Sequence, residues 1–208
     1  MIKLAVFDFD STLMDGETLE QFAQDTALRQ KLKKITDSAM RGELDFFESL
    51  TKRCAYLKGT PISFIENVSK NLPYMNGAKE LIAELKKHNI KTVCFSGGFD
   101  TALEYAQKEL GFDVYFGNFL HEKEGFLTGL VGGDMMTSDS KGVMRNKLQN
   151  ILSITKEETL AVGDGANDLS MFKYAGTRVA FCAKEVLKKE ATIIIDNKNL
   201  MEISKYIF

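Results

Sequence analysis

The chain has 208 residues, with 27 Lys or Arg, 29 Asp or Glu and a formal net charge of -2. This balance provides neither the basic surface of a nucleic-acid-binding protein nor a polybasic patch for a membrane, so we expect neither as a partner. Cys54, Cys94 and Cys182 lack the paired spacing of a zinc site or a disulfide framework and are interpreted as reduced thiols. The apolar run at the start of the sequence is too short for a signal peptide, so we expect none, and no apolar run is long enough to span a bilayer. We therefore expect a cytoplasmic monomer or homodimer with a small soluble ligand.

The first predicted element is a strand in the apolar run over residues 4–13, which carries Asp8 and Asp10 near its end. Ligands of open α/β sheets bind beyond the carboxyl ends of the strands. Because side chains alternate along a strand, Asp8 and Asp10 are expected on the same side of the pleat. The end of this strand is therefore an active-site candidate.

Residues 17–72 have apolar side chains at helical spacing among many charges. Breaks at Gly42 and at residues 59–61 divide the segment into about four helices, with Pro61 in the first turn of the last one. We expect a small helical bundle inserted after the first strand and lying over its end. The apolar positions expected to face its interior are Phe22, Leu28, Leu32, Ile35, Met40, Leu44, Phe47, Leu50, Leu57, Ile62, Ile65 and Val68.

From Gly77 onward, helix and strand patterns alternate. Strands joined by crossover helices predict a mainly parallel sheet flanked by helices, a Rossmann-like α/β fold. The expected domains are a core of residues 1–13 and 74–208 and a helical cap of residues 14–73. The predicted strands are 91–95, 114–116, 159–162, 178–181 and 192–195, the hairpin is 118–132, and the helices are 78–85, 101–110, 141–152 and 169–175.

Polar clusters follow several of these strands, and parallel strands would bring them together at one edge. The members are Asp8, Asp10, Ser96, Gly97, Gly98, Asp164, Asn167 and Asp168, and Lys141 joins them from the start of the predicted helix 141–152. The set suits chemistry on a phosphoryl group. Asp8 and Asp164 are hard oxygen ligands for Mg²⁺, and Ser96 and the backbone N–H of Gly97 can donate to phosphate oxygens. Lys141 can neutralise the same charge.

The two aspartates of the first strand suit different tasks. Asp8 can attack phosphorus to give an acyl phosphate that water then opens. Asp10 can protonate the leaving alkoxide and then take a proton from the water. An ordinary surface turn explains two acids after a strand equally well in isolation, and a helix cap explains Asn167 and Asp168. Asp164 and Lys141 at matching spacings favour the catalytic interpretation.

The same residues resemble the four motifs of the haloacid dehalogenase superfamily. They are Asp8-Phe9-Asp10-Ser11-Thr12, Ser96-Gly97-Gly98-Phe99, Lys141 and the run from Gly163 to Asp168. The resemblance implies a Mg²⁺-dependent phosphomonoesterase with a Rossmann-like core and a helical cap. It also implies that Asp10 offers the metal only its backbone carbonyl, beside the side chains of Asp8 and Asp164. Asp168 is expected to orient Lys141 and its neighbours.

Within the superfamily, the chain is similar over nearly its whole length to the branch that hydrolyses O-phospho-L-serine, the last step of serine biosynthesis. That similarity implies that Glu17 receives the substrate's ammonium group and Arg53 its carboxylate, a pairing that suits a zwitterion. Met40 and Phe46 match apolar positions of the same pocket, and Asn167 joins the substrate-binding set.

Two alternatives remain open from the sequence. The same chemistry could act on another small phosphomonoester, or pass the phosphoryl group to a second hydroxyl as a phosphotransferase. A non-catalytic phospho-ligand module would be expected to lack a nucleophile, an acid or a metal ligand, whereas Asp8, Asp10 and Asp164 are all present.

Overall fold

The computed structural model of the protein describes residues 1–40 and 43–208, with the side chain of Met40 left out. The predicted helix break at Gly42 therefore lies outside the described residues. Over the described part of the chain, no helix is long and apolar enough to cross a membrane.

Seven strands form one sheet in the order β4-β3-β2-β1-β5-β6-β7. All neighbours pair in parallel except β3 and β4, which form the expected antiparallel hairpin. The prediction of a mainly parallel α/β fold is confirmed. The strands are β1 (Leu4–Asp8), β2 (Lys91–Phe99), β3 (Val114–Lys123), β4 (Phe126–Gly133), β5 (Thr159–Gly163), β6 (Thr177–Phe181) and β7 (Ile193–Ile195).

Ten helices are described between and after these strands. Four lie in the segment between β1 and the next helix of the core, as the sequence predicts, although the first of them is a single turn. The helices are α1 (Thr18–Gln21), α2 (Thr26–Met40), α3 (Phe46–Ala55), α4 (Ile62–Ser69), α5 (Ala78–Lys87), α6 (Asp100–Leu110), α7 (Ser140–Leu152), α8 (Leu169–Phe172), α9 (Glu185–Lys188) and α10 (Ser204–Ile207).

Strand β1 lies at the centre of the sheet and is fully buried on both faces. Ala5 and Phe7 pack into an apolar cluster with α5 and α6, whereas Leu4 and Val6 join a second cluster with α8. This alternation puts Asp8 on the same face as Leu4 and Val6. The nucleophile candidate therefore points toward the side of the sheet on which α7 and α8 lie.

The expectation that Asp10 continues the pleat of β1 is wrong. The strand ends at Asp8, and residues 9–13 form a tight loop in which Ser11 has a φ of 57°. Apolar and β-branched residues continue through Leu13, so the strand predicted from the sequence extended beyond the end of β1. Asp10 reaches the end of the sheet through this loop, not through strand alternation.

The segment of helices α1–α4 is attached to the β3–β4 hairpin by backbone hydrogen bonds. Gly59 N donates to Leu127 O at 2.8 Å, and Leu127 N donates to Thr60 O at 2.9 Å. Pro61 directly precedes α4 and does not lie within its first turn. The prediction that Phe47 faces the interior is wrong, because its side chain is 50% exposed, while its neighbour Phe46 packs inward.

Candidate active site

Lys141 links two aspartates at the carboxyl ends of β1 and β5. Its Nζ lies 2.6 Å from Asp8 Oδ1 and 2.6 Å from Asp168 Oδ1. The lysine opens α7, which packs against the face of the sheet to which β1 directs Asp8. All three side chains are buried, so the ammonium and carboxylates interact with little solvent screening.

Asp168 also holds the loop that follows β5. Its Oδ2 accepts hydrogen bonds from the backbone N–H groups of Asp164, at 3.0 Å, and Gly165, at 3.1 Å. A Cβ at Gly163 would lie 2.3 Å from the same oxygen, so this close approach requires glycine. Asp168 thus fixes both Lys141 and the backbone that carries Asp164.

Burial, followed by the charges of neighbouring carboxylates, determines the pKa values in this cluster. Burial, and next the charge of Asp168, raise the pKa of Asp8 well above its ordinary value. The same two causes raise the pKa of Asp164 to about 7. Burial alone would lower the pKa of Lys141, but Asp168 and Asp8 outweigh it and raise that pKa, so Lys141 stays protonated.

Asp10 is held by a residue that the sequence analysis did not single out. Thr18 Oγ1 donates to Asp10 Oδ1 at 2.5 Å, and the backbone N–H of Thr18 donates to the same oxygen at 2.8 Å. Burial raises the pKa of Asp10, while both hydrogen bonds from Thr18 counteract that effect. Asp10 is therefore an aspartate with an elevated pKa and a fixed orientation, two properties that suit a general acid and base.

The turn at Ser96, Gly97 and Gly98 lies beside these carboxyl groups. Ser96 is fully buried, and its Oγ accepts a hydrogen bond from Gly98 N at 2.8 Å. Because this oxygen already accepts, the hydroxyl proton of Ser96 can be donated to a ligand. A Cβ at Gly97 would lie 2.7 Å from Cζ of Phe46, so glycine lets the aromatic ring close over the turn.

A cavity of about 390 Å³ lies between these groups and the helices α2 and α3. Its walls include most of the residues predicted from the sequence. Those that line it are Asp8, Asp10, Glu17, Phe46, Arg53, Gly97, Asp164 and Asn167. Ser96 and Lys141 are buried directly beside this set, through their bonds to Gly98 and Asp8. The side chain of Met40 lies outside the described residues.

Glu17 and Arg53 line the cavity on the side of the helical segment. Arg53 is buried, and its Nε donates to Ser49 O at 3.2 Å while its Nη1 donates to Thr36 Oγ1 at 3.2 Å. Glu17 Oε1 accepts a hydrogen bond from Ser11 Oγ at 3.0 Å. Burial, and then the charges of Asp10 and Asp164, raise the pKa of Glu17 to about 8.

Several residues in or next to the cavity were missed from the sequence. Thr36, Ser49 and Lys184 line it, whereas Thr18 and Ser11 do not line it but donate hydrogen bonds to Asp10 and Glu17, which do. Short hydroxyl side chains on helices are ordinary surface residues in most sequences, so their type and spacing carry no signal. Lys184 follows β6, the strand next to β5, and a search of every strand end for polar residues would have found it.

The arrangement of carboxylates, lysine and glycine turn agrees with the comparison of this chain with known families. Residues 2–176 match the family model of the haloacid dehalogenase-like hydrolases. The chain belongs to this family. The match extends from before β1 to beyond α8, so it includes the ends of β1, β2 and β5 that contribute to the cavity, but not Lys184 after β6.

The hydrolase is similar to several phosphoserine phosphatases over its whole length. It is 54% identical to the phosphoserine phosphatase of Wolinella succinogenes over 99% of this chain and 100% of the relative. It is 46% identical to that of Methanocaldococcus jannaschii over 99% of this chain and 97% of the relative.

Two solved structures superpose closely on this hydrolase. One is described as a phospho-aspartyl intermediate analogue of phosphoserine phosphatase and the other as a substrate-bound phosphoserine phosphatase. Each has a TM-score of 0.93 and 45% identity and covers 99% of this chain and 98% of the other. The fold of this hydrolase is therefore that of phosphoserine phosphatases.

Phosphatases of this family generally use Mg²⁺, and the donor groups of this chain fit such an ion. Oxygens of Asp8, Asp164 and Asp168 lie within 4.8 Å of one another. The positive charge of Lys141 neutralises one of these three carboxylates. Two negative charges remain, which matches the charge of a divalent cation. Asp168 is engaged by Lys141 and two backbone N–H groups. The carboxylates that remain for a hard cation are those of Asp8 and Asp164.

Proposed function

We propose that this hydrolase cleaves O-phospho-L-serine to L-serine and inorganic phosphate through an aspartyl phosphate at Asp8. The observation that carries the proposal is the composition of the cavity wall. One side has Asp8, Asp10 and the glycine turn, which suit a phosphoryl group, and the other has Glu17 and Arg53, which suit a zwitterionic amino acid. The similarity to phosphoserine phosphatases supports the same substrate and the place of the reaction at the end of serine biosynthesis.

Recognition of the serine part follows from the charges of Glu17 and Arg53. The planar guanidinium of Arg53 matches a carboxylate, and Ser49 and Thr36 hold it in place. Glu17 receives the ammonium group. Burial raises the pKa of Glu17 to about 8, so this carboxyl is largely neutral near pH 7, and a bound ammonium group favours its ionised form and lowers that pKa. Phe46, and Met40 by resemblance, supply the apolar contacts to the serine Cβ.

In the first step, a carboxylate oxygen of Asp8 attacks phosphorus while the bond between phosphorus and the serine oxygen breaks. Asp10 gives its proton to the departing alkoxide, which leaves as the hydroxyl of L-serine. Asn167 Nδ2 lies 3.5 Å from Asp8 Oδ2 and Lys141 lies on Oδ1, so both contacts orient the nucleophile. The products of this step are aspartyl phosphate and an ionised Asp10.

In the second step, water attacks the phosphorus of the aspartyl phosphate and gives its proton to Asp10. The bond between phosphorus and the Asp8 oxygen breaks, which restores the Asp8 carboxylate and releases inorganic phosphate. Both aspartates return to their starting protonation states, so atoms and charges balance over the cycle. The elevated pKa of Asp10 suits both transfers, since it must hold a proton in one state and accept one in the other.

Stabilisation of the transferring phosphoryl group is assigned to fixed donors. Ser96 Oγ–H, the N–H of Gly97 and the ammonium of Lys141 are held by the protein before the substrate arrives, so they need little reorganisation. The side chains of Asp8 and Asp164 and, by family resemblance, the backbone carbonyl of Asp10 would hold Mg²⁺, which would supply positive charge to the phosphoryl oxygens. Each well-placed donor contributes about 3 to 4 kcal/mol by analogy with oxyanion holes.

We further propose that residues 14–73 act as a cap over a core made of residues 1–13 and 74–208. Helix α3 presents Phe46 and Arg53 to the cavity from above the glycine turn. A cap of this kind excludes bulk water in the first step and admits one water in the second. A cytoplasmic location and a monomeric or dimeric state remain predictions.

The test is a phosphate-release assay on three esters that differ only at the amino-acid end. O-phospho-L-serine is compared with phosphoethanolamine, which lacks the carboxylate, and 3-phosphoglycerate, which lacks the ammonium. We expect phosphoserine to have the highest kcat/KM, by at least about 100-fold because a buried charge loses its partner in each analogue. Activity should disappear in chelator and return with Mg²⁺.

Equal rates on the three esters would contradict phosphoserine as the substrate while leaving the phosphatase chemistry intact. Including glycerol or a second amino-alcohol as acceptor separates hydrolysis from phosphotransfer. A phosphoester product that replaces free phosphate would identify a phosphotransferase instead.

A further inference from the structure

We propose that Asn118 is a positioning residue for the phosphoryl site, because its amide fixes the Gly97–Gly98 peptide. This inference rests on the proposed function, in which Ser96 and the N–H of Gly97 bind the phosphoryl oxygens. Asn118 lies in β3, is fully buried and does not touch the substrate cavity. It therefore acts through the turn and not on the substrate itself.

The pairing of β2 with β3 shows why the turn needs such a support. Phe95 pairs with Phe116, and the next pair is Phe99 with Asn118. Three residues of β2 thus lie opposite the single residue Gly117, so the segment from Ser96 to Gly98 bulges out of the ladder. Backbone groups in a bulge lose their regular cross-strand partners and need others when buried.

The side chain of Asn118 supplies the missing partner. Its Nδ2 donates to Gly97 O at 3.0 Å and to Met135 O at 3.1 Å. Its Oδ1 accepts from Met135 N at 3.0 Å. Two donated bonds and one accepted bond fix the amide in one orientation. Asn118 thereby ties the turn to the backbone that follows β4.

The Gly97–Gly98 peptide is consequently held at both ends. Asn118 binds its carbonyl oxygen, and Ser96 Oγ accepts from its N–H at 2.8 Å. With this peptide unable to rotate, the preceding N–H, that of Gly97, and the free proton of Ser96 keep their directions. Glycine tolerates many backbone conformations, so two adjacent glycines would otherwise leave the turn adaptable.

The neighbouring backbone is built around Asn118. Gly133 pairs with Asn118 across the hairpin and has a φ of +141°. A Cβ at Gly133 would lie 2.7 Å from Asn118 Oδ1 and 2.5 Å from its Cα. Glycine at this position lets the two strands approach closely enough for the amide to reach Met135 and Gly97 together.

The test compares Asn118→Asp and Asn118→Ser with the control Thr92→Val. Asp keeps the size and the acceptor but loses the donor to Gly97 O, and Ser is too short to reach it. Thr92 is also buried and hydrogen-bonded, to Asp113, but at the opposite end of β2 from the turn. Thr92→Val therefore has the cost of a lost buried hydrogen bond without the effect on the turn.

Three quantities are measured on folded protein: the inhibition constant of inorganic phosphate, that of L-serine, and kcat/KM with p-nitrophenyl phosphate. In both Asn118 variants we expect phosphate inhibition to weaken by about 10-fold or more and kcat/KM to fall by about 30-fold or more, because a small displacement of donors costs up to about 100-fold. Inhibition by L-serine should stay unchanged. In Thr92→Val, all three should match the wild type.

The proposal is overturned if a folded Asn118 variant keeps both the phosphate inhibition constant and kcat/KM within about twofold of the wild type. Such a change is far smaller than the loss of activity that follows when one donor to the phosphoryl group is lost. It is also overturned if phosphate and L-serine inhibition weaken equally, since a general loosening would do that. Should Asn118→Asp not fold, Asn118→Ser decides. Turnover of p-nitrophenyl phosphate without turnover of phosphoserine would contradict the proposed substrate and leave this comparison valid.

Discussion

The support that Thr18 gives to Asp10 leads to a prediction that separates the two steps of the reaction. Thr18→Val keeps the shape of a side chain that is 1% exposed but removes the 2.5 Å hydrogen bond to Asp10 Oδ1. The backbone N–H of Thr18 still donates at 2.8 Å, so Asp10 keeps half of its support. The variant therefore weakens the general acid and base without deleting it.

The magnitude follows from the charge on Asp10. A hydrogen bond to a charged group contributes about 1.5 to 3 kcal/mol. Because about 1.36 kcal/mol corresponds to one pKa unit, loss of this bond should raise the pKa of Asp10 by about one to two units. A higher pKa leaves less of the ionised Asp10 that must accept a proton from water. We expect kcat on phosphoserine to fall by about 10-fold near neutral pH and the acidic limb of the pH profile to move upward.

The assay is rapid-mixing kinetics with p-nitrophenyl phosphate beside steady-state kinetics with phosphoserine. p-Nitrophenolate leaves without a proton, so the burst of its release should be retained, while the steady rate, which includes attack by water, should fall. Thr18→Ser keeps the hydroxyl and should resemble the wild type. The reasoning is refuted if Thr18→Val turns over phosphoserine within about twofold of the wild type, because that loss is smaller than even a weak hydrogen bond to a charged group would cause. It is also refuted if kcat falls as much in Thr18→Ser as in Thr18→Val.

Two further predictions concern the ends of the cavity. Arg53→Lys keeps the charge but not the planar fork, so kcat/KM should fall by about 10-fold or more on phosphoserine and change little on p-nitrophenyl phosphate; equal losses would mean that Arg53 does not bind the carboxylate. Burial raises the pKa of Glu17 from an ordinary 4.5 to about 8 and that of Asp164 from 3.8 to about 7. A carboxyl group whose pKa is raised in the folded state makes folding less favourable as the pH rises toward and through that pKa. The Tm in chelator should therefore fall between about pH 5 and about pH 8. Mg²⁺ should raise the Tm more at the upper pH, where the carboxylates are ionised. A Tm in chelator that rises over this range would contradict the assignment of these two carboxyls to a cation-binding cavity.

The ends of the strands could be predicted from the sequence, because a polar residue that follows an apolar run marks the point where a buried strand reaches the edge of the sheet. Asp8 ends β1, Ser96 lies near the end of β2 and Asp164 directly follows β5, and the parallel sheet brings them together. Asp168 is bonded to Lys141, as the sequence analysis expected for an orienting residue. The placement of these side chains at one edge of the sheet could thus be predicted from residue type and position.

The geometry that supports these residues could not be predicted in the same way. Thr18 and Asn118 act through hydrogen bonds to Asp10 and Gly97, contacts that depend on a loop and on a strand bulge. Neither feature leaves a periodic pattern. Asp10 shows the same limit, since the pleat rule placed it on a strand that ends two residues earlier.

The four helices of the segment between β1 and α5 were predicted from the sequence, but the side chains that face its interior were predicted less accurately. Apolar spacing cannot distinguish Phe46, which packs over Gly97, from the adjacent Phe47, which is half exposed. Adjacent aromatic residues on a helix point about 100° apart, and tertiary packing decides which of them is buried. The roles of Glu17 and Arg53 came from family resemblance, because charged residues on helices usually face solvent.

The central claim is that Asp8 carries the phosphoryl group, and trapping the intermediate tests it most directly. The protein is mixed with phosphoserine and Mg²⁺, quenched within one turnover and treated with borohydride, which reduces an acyl phosphate to an alcohol. Mass spectrometry of the peptide that contains Asp8 should then show homoserine at that position, and the chelator control and Asp8→Asn should not. Phosphate release with an unmodified Asp8, or reduction at another carboxylate, would contradict the account.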